Sequence, residues 1–129
     1  MKRLVVDLDH TITQGAPSGY ADAVANKALI DQLHRYKKDG FVIVISTSRS
    51  MRTYEGNIGK INAHTLPVAI EWLRRHNVPF DEIHVGKPWC GHDGFYIDDR
   101  AVRPSEFISK SYGEIVQMLD AEKGKSPCF

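Results

Sequence analysis

Asp7 and Asp9 stand two residues apart, just after the apolar run Leu4-Val5-Val6. Side chains along an extended chain alternate with a period of two, so both carboxylates share a face and Leu8 points the other way. Two carboxylates facing one crevice are costly unless a cation sits between them. Mg2+ suits such a pair. It takes hard oxygen ligands and commonly holds only one or two carboxylates, completing its shell with phosphate and water. One carboxylate can then attack phosphorus, as in enzymes that pass through an aspartyl-phosphate, while the other moves a proton. A polar strand end or the opening of a turn would give the same triplet with no chemistry, so the triplet alone leaves both readings open.

The elements that must position these residues alternate between strand and helix signals, which predicts an α/β domain with a mostly parallel sheet. A first strand is expected over about 2–8, followed by a loop over 12–25 that contains Gly15, Pro17 and Gly19. Asn26 is the expected N-cap of a helix whose Leu29, Leu33 and Tyr36 recur on one face, with Gly40 just past its end. The continuous apolar run 41–45 predicts a strand covered on both faces. A polar connection over 46–62 is long enough to carry function. A second helix is expected over about 66–76, capped by Thr65 and with Pro67 in its first turn, where proline is tolerated. Short strands follow over 82–85 and 95–97. Ser111 and Glu114 form a capping box opening a last helix with Ile115, Met118 and Leu119 inward.

Right-handed crossovers would return each helix over the sheet, so all strand ends that precede loops fall along one edge, where ligands of open α/β sheets sit. The first strand delivers Asp7 and Asp9 there. The second delivers Ser46, Thr47, Ser48 and Arg49, the third Gly86-Lys87-Pro88, and the fourth Asp98 and Asp99. Each has an unremarkable alternative: Thr47 as the cap of a turn, Lys87 as a solvated loop residue, Asp98-Asp99 as a turn. Their joint arrival after successive strands, in chain order, favours a shared site.

On these residues the chain resembles the haloacid dehalogenase (HAD) superfamily of phosphohydrolases. The four motifs stand as Asp7-Leu8-Asp9-His10-Thr11, Val44-Ile45-Ser46-Thr47, Gly86-Lys87-Pro88 and Phe95-Tyr96-Ile97-Asp98-Asp99. They span nearly the whole chain. The stretches from Arg49 through Arg52, Gly56 and Lys60 to Asn62, and Gly86-Lys87-Pro88-Trp89-Cys90-Gly91, are similar to the small HAD phosphatases associated with capsular polysaccharide biosynthesis. The resemblance implies a three-layer Rossmann-like fold with helices on both faces of the sheet. It also implies Mg2+ as cofactor and a phosphomonoester hydrolase acting on a sugar phosphate or a related small metabolite of surface polysaccharide synthesis.

Residue by residue, the resemblance makes Asp7 the nucleophile. Asp9 protonates the leaving oxygen, then activates water, and its backbone carbonyl binds the metal. Thr47 hydrogen-bonds a phosphoryl oxygen, and Lys87 compensates charge on nucleophile and phosphate. Asp98 binds the metal, with Asp99 directly or through water, and Thr11 steadies the first loop. The acid two residues after the nucleophile marks the phosphatases and phosphotransferases of the superfamily; the dehalogenases lack it. Loop 12–25 is too short for a large cap domain, so a capless enzyme is expected. The 46–62 segment is then the specificity element, with Ser48, Arg49, Arg52 and Lys60, together with Thr11 of the first loop, as substrate-binding candidates. Arg49, Arg52 and Lys60 read equally well as solvated charges with internal pairs.

The chain has 129 residues, enough for one domain (1–129, with about 123–129 as a tail) and not for two. Its 26% charged and 42% hydrophobic residues match an ordinary globular protein. A formal net charge of +1 argues against a general grip on nucleic acid or an anionic membrane. No apolar run approaches the roughly 20 residues of a membrane span. The start is too short in apolar residues for a signal peptide, and a cytoplasmic protein is expected. Cys128 lies in the tail and reduced thiols fit that compartment, so a structural disulfide is not expected. Cys90 and His92 with His84 or His64 do not make a four-ligand zinc set. Two other functions fit less of the chain: a capless HAD phosphatase for a nucleic-acid end or a phosphoprotein, and a non-catalytic HAD scaffold. A covered site gained by association makes a homo-oligomer an open possibility.

Overall fold

The computed structural model describes residues 2–16 and 18–123. The tail expected over 123–129 lies, beyond Lys123, outside the described residues, as does Cys128. The chain is built from two units, Met1–Trp89 and Cys90–Phe129.

The first unit is organised by a parallel sheet of three strands, neighbours in chain order. They are β1 (Arg3–Val6), β4 (Val42–Ser46) and β5 (Glu82–His84). Arg3 is opposite Val42 and Val6 opposite Ile45, while Val44 faces Glu82. The apolar run predicted as a doubly covered strand is β4: Ile43, Val44 and Ile45 are all buried. Each such side chain removed from water contributes about 1.5–3 kcal/mol. Helix α1 (Lys27–Lys38) presents Leu29, Ile30, Leu33 and Tyr36 to the core, and its last turn carries Arg35, Lys37 and Lys38, which complement the helix dipole. Gly40 adopts φ 93° just past the helix, a left-handed conformation that only glycine takes at no steric cost.

The 12–25 segment, expected as a loop, also forms a small antiparallel hairpin of β2 (Thr13–Gly15) and β3 (Val24–Ala25). Its two strands are too short to show a period in the sequence. The second helix begins earlier than expected. Asn57 accepts from the Lys60 N–H at 3.1 Å and opens α2 (Ile58–Lys60), which runs through a wider turn at Ile61–Thr65 into α3 (Leu66–Arg75). Thr65 does not cap; its hydroxyl donates to Ser50 Oγ at 2.7 Å. The ring of Trp72, wholly buried on α3, donates to the Ala23 carbonyl at 2.9 Å and so fastens β3 to the helix.

The second unit holds α4 (Pro104–Ser109) and α5 (Tyr112–Lys123), with Phe107, Ile115 and Leu119 buried. The capping box at its start forms as expected. Ser111 N–H donates to Glu114 Oε1 at 2.9 Å, and Glu114 N–H to Ser111 Oγ at 3.2 Å. The strand expected over 95–97 does not form. A strand exists only through a ladder to a neighbour, and the second unit contains no other strand among its described residues. No helix among the described residues is long and apolar enough to cross a membrane.

Candidate active site

Three parallel strands share a carboxyl edge, so the residues that follow them meet there. Asp7 follows β1, Thr47 follows β4, and Lys87 comes three residues after the end of β5. Backbone bonds fix the second and third of these ends to each other: Thr47 N–H donates to the His84 carbonyl at 2.9 Å, and Lys87 N–H to the Thr47 carbonyl at 3.2 Å. Gly86 makes this turn at φ 85°, and a Cβ on it would stand 2.6 Å from Ile58 Cδ1. Backbone conformation and space both call for glycine there.

The alternation read from the first strand continues past its end. Leu8 is wholly buried, while Asp7 and Asp9 on either side are partly open to solvent, with extended backbone. His10 then turns the chain at φ 62°. Asp7 is held from two sides. Thr11 Oγ1 donates to its Oδ2 at 3.2 Å, and Lys87 Nζ lies 3.5 Å from Oδ1. The ammonium offsets charge on the group expected to meet phosphate. The loop is anchored from behind by Asn26. Its Oδ1 caps α1 at Leu29 N–H (3.3 Å), while its Nδ2 donates to the Thr11 carbonyl at 3.1 Å.

Asp9 has a different partner. Arg49 Nε donates to Oδ2 at 3.0 Å and Arg49 Nη2 to Oδ1 at 2.7 Å, a two-pronged clamp. The Arg49 side chain is almost completely buried and its guanidinium lies 4.1 Å from the centre of the Tyr20 ring. Its Nη1 is buried without a hydrogen-bond partner among the described residues. The backbone of Arg49 is fixed by Thr47, whose Oγ1 accepts the Arg49 N–H at 3.0 Å. The turn-capping use of Thr47 is therefore present, and its hydroxyl proton is still available to donate. Two carboxylates and two cations balance within this cluster.

Of the other expected substrate-binding residues, Ser48 is half-buried in the turn after Thr47, and Arg52 and Lys60 are exposed. Asp98 and Asp99 belong to the second unit, where both are exposed and Asp98 Oδ1 accepts the Arg100 N–H at 2.8 Å. Among the described residues no group of three or more His, Cys, Asp or Glu side chains could hold a metal ion. What the first unit offers is the Asp7 carboxylate, open to solvent on one side. That fits Mg2+, which needs few protein carboxylates when phosphate and water supply the rest. The sequence did not indicate the Arg49–Asp9 clamp, the Tyr20 platform or the dual role of Asn26. Arg49 and Asp9 are 40 residues apart, and no local spacing encodes that meeting.

No family model and no curated protein matches the chain. Among solved structures, the crystal structure of an MCSG target from Vibrio cholerae is similar at 62% identity and a TM-score of 0.93, over 95% of this chain and 99% of that one. A D,D-heptose 1,7-bisphosphate phosphatase from B. bronchiseptica, complexed with magnesium and phosphate, gives 17% identity and a TM-score of 0.46, over 74% of this chain and 54% of that one. The chain belongs to one family with the Vibrio cholerae protein.

Proposed function

We propose that the chain is a cytoplasmic HAD-type phosphatase, a Mg2+-dependent phosphomonoester hydrolase working through an aspartyl-phosphate on Asp7. The observation that carries this reading is the pairing of Asp7 with Lys87 and Thr11, beside Thr47, at the shared carboxyl edge of a parallel sheet. These are the residues that the first three HAD-like motifs supply. In the first half-reaction an Asp7 oxygen bonds to phosphorus as the ester P–O bond breaks, and the leaving oxygen takes a proton from Asp9. In the second, water attacks the same phosphorus, Asp9 takes its proton, and the Asp7–phosphorus bond breaks to release orthophosphate. Both Asp9 oxygens accept from Arg49, so a proton on Asp9 displaces one of those bonds. Lys87 and the Thr47 hydroxyl stabilise charge at the phosphoryl oxygens, where preorganised donors contribute most. Bound Mg2+, held by Asp7 and the Asp9 carbonyl, would add charge neutralisation there.

The substrate in this reading is a sugar phosphate or related small metabolite of surface polysaccharide synthesis. The support is the similarity of the stretches 49–62 and 86–91 to capsule-associated phosphatases. Ser48, Arg52 and Lys60 would contact the leaving group in a site with no large cap. The test is phosphate release from a panel of sugar phosphates, nucleotides and phosphorylated oligomers, with and without Mg2+. Metal-dependent release on one or a few sugar phosphates is expected, with none from Asp7→Asn. Ordinary activity in an Asp7→Asn preparation free of wild type would refute the assignment.

A further inference from the structure

Tyr20 carries an aromatic ring that the core does not use. It is 46% exposed, yet the Arg49 guanidinium lies over it, with Cζ 4.1 Å from the ring centre. The Arg49 side chain itself is only 1% exposed. A guanidinium taken out of water needs replacements for its hydration, and an aromatic face is one of them. Asp9 is the other, through Nε and Nη2. Nη1 is buried without a hydrogen-bond partner among the described residues, so it adds no further bond to fix the group.

The sequence around Tyr20 builds a mount for that ring. Gly19 turns the chain at φ 100°, a conformation that favours glycine, and its carbonyl accepts the Asp22 N–H at 3.1 Å. A single helical turn, Tyr20–Asp22, follows, and the Ala23 N–H closes it on the Tyr20 carbonyl at 3.3 Å. Two side chains of α3 then hold the backbone just after Tyr20. Arg75 Nη2 donates to the Ala21 carbonyl, and the Trp72 ring to the Ala23 carbonyl. Glu71, one helical turn before Arg75, braces it at 3.5 Å. A continuous set of contacts thus runs from α3 through the backbone of 20–23 to Tyr20, Arg49 and Asp9.

We infer that Tyr20 is a positioning residue for proton transfer by Asp9. Its ring holds the Arg49 guanidinium in the place from which it grips both Asp9 oxygens. The inference rests on the phosphatase reading for the work of Asp9, and it makes the 13–25 hairpin the element that governs the acid step. In that step an Asp7 oxygen bonds to phosphorus, and the ester P–O bond breaks with its electron pair passing to the leaving oxygen. That oxygen takes the Asp9 proton. An alkoxide leaves badly without the proton, whereas a nitrophenolate leaves unprotonated. A defect confined to proton delivery is therefore felt by an alkyl phosphate and not by a nitrophenyl phosphate. A general loosening of the site would be felt by both.

The test compares benzyl phosphate with p-nitrophenyl phosphate in the wild type, Tyr20→Leu and Tyr20→Phe. The quantity read is kcat/KM, which reports events up to formation of the aspartyl-phosphate. Tyr20→Leu keeps apolar bulk and loses the ring face, while Tyr20→Phe keeps the face. Tyr20→Leu is expected to lower kcat/KM on benzyl phosphate about tenfold, through kcat with KM little changed, and on p-nitrophenyl phosphate by less than about twofold. Tyr20→Phe is expected to match the wild type on both. Equal losses on the two substrates, no loss on either, or a Tyr20→Phe enzyme as impaired as Tyr20→Leu overturns the inference while leaving the phosphatase reading intact. A wild type that releases phosphate from neither substrate, nor from any sugar phosphate, overturns the phosphatase reading, and the role of Tyr20 falls with it.

Discussion

Arg49 is the residue whose position most changes the chemistry. Read from the sequence, it was an anion ligand or a solvated charge. In the fold it is a buried clamp on both oxygens of Asp9, backed by Tyr20. Arg49→Ala is expected to lower kcat by roughly 100-fold, because Asp9 loses the geometry of its proton transfer. KM should change little, since the guanidinium is already spent on Asp9. A large rise in KM with kcat intact would return Arg49 to the substrate-binding set. Arg49→Lys should recover only part of the loss, because an ammonium cannot hold two carboxylate oxygens in a fork. That Asp7, Thr47 and Lys87 meet at one edge was legible because Asp7 and Thr47 follow apolar runs at strand ends and Lys87 follows a short strand signal, both local patterns. The Arg49–Asp9 pair depends on β1 and β4 being neighbours, which local spacing does not state.

At the scale of elements, the loop that carries both aspartates depends on the start of α1. Asn26 caps the helix with one end of its amide and holds the Thr11 carbonyl with the other. Asn26→Ala should cost about 1–2 kcal/mol, read as a lowered Tm. Asn26→Asp keeps an oxygen for the cap and loses the donor to Thr11. It should restore most of the Tm while leaving kcat reduced, and full recovery of both would remove the anchoring role. Strands β1, β4 and β5 and helix α1 were legible because period and apolar runs agree with burial there. The hairpin of β2 and β3 was not, since its pairing comes from tertiary contacts and not from alternation. Residues 95–97 show the opposite case. The side chains have strand propensity, but propensity forms no ladder without a neighbouring strand.

Across the first unit, Asp81 ties distant parts together. Lys37 at the end of α1 donates to both its oxygens at 2.6 and 2.7 Å, and the Ile43 N–H of β4 donates at 2.9 Å. These bonds, the Lys37 one foremost, hold its carboxyl below the ordinary value of 3.8 against a smaller opposing effect of burial. A depressed folded value means the stabilisation is complete above the unfolded value and is lost as pH falls through the folded one. Stability should therefore decline with acid below about pH 4, and Asp81→Asn should flatten that limb while lowering Tm at neutral pH. An unchanged acid limb in Asp81→Asn would assign the decline to other carboxylates. The α/β class and the parallel sheet were open to reading from the sequence, because alternating element signals set them.

The central claim is that Asp7 becomes phosphorylated. The most direct measurement uses Asp9→Asn, in which the intermediate should form and its hydrolysis stall. The variant is incubated with substrate and Mg2+, quenched, reduced with borohydride and mapped by peptide mass spectrometry. The account predicts conversion of Asp7 alone to homoserine, dependent on substrate and absent from Asp7→Asn,Asp9→Asn. Reduction mapped to another residue, or steady phosphate release with no modification at Asp7, would contradict it.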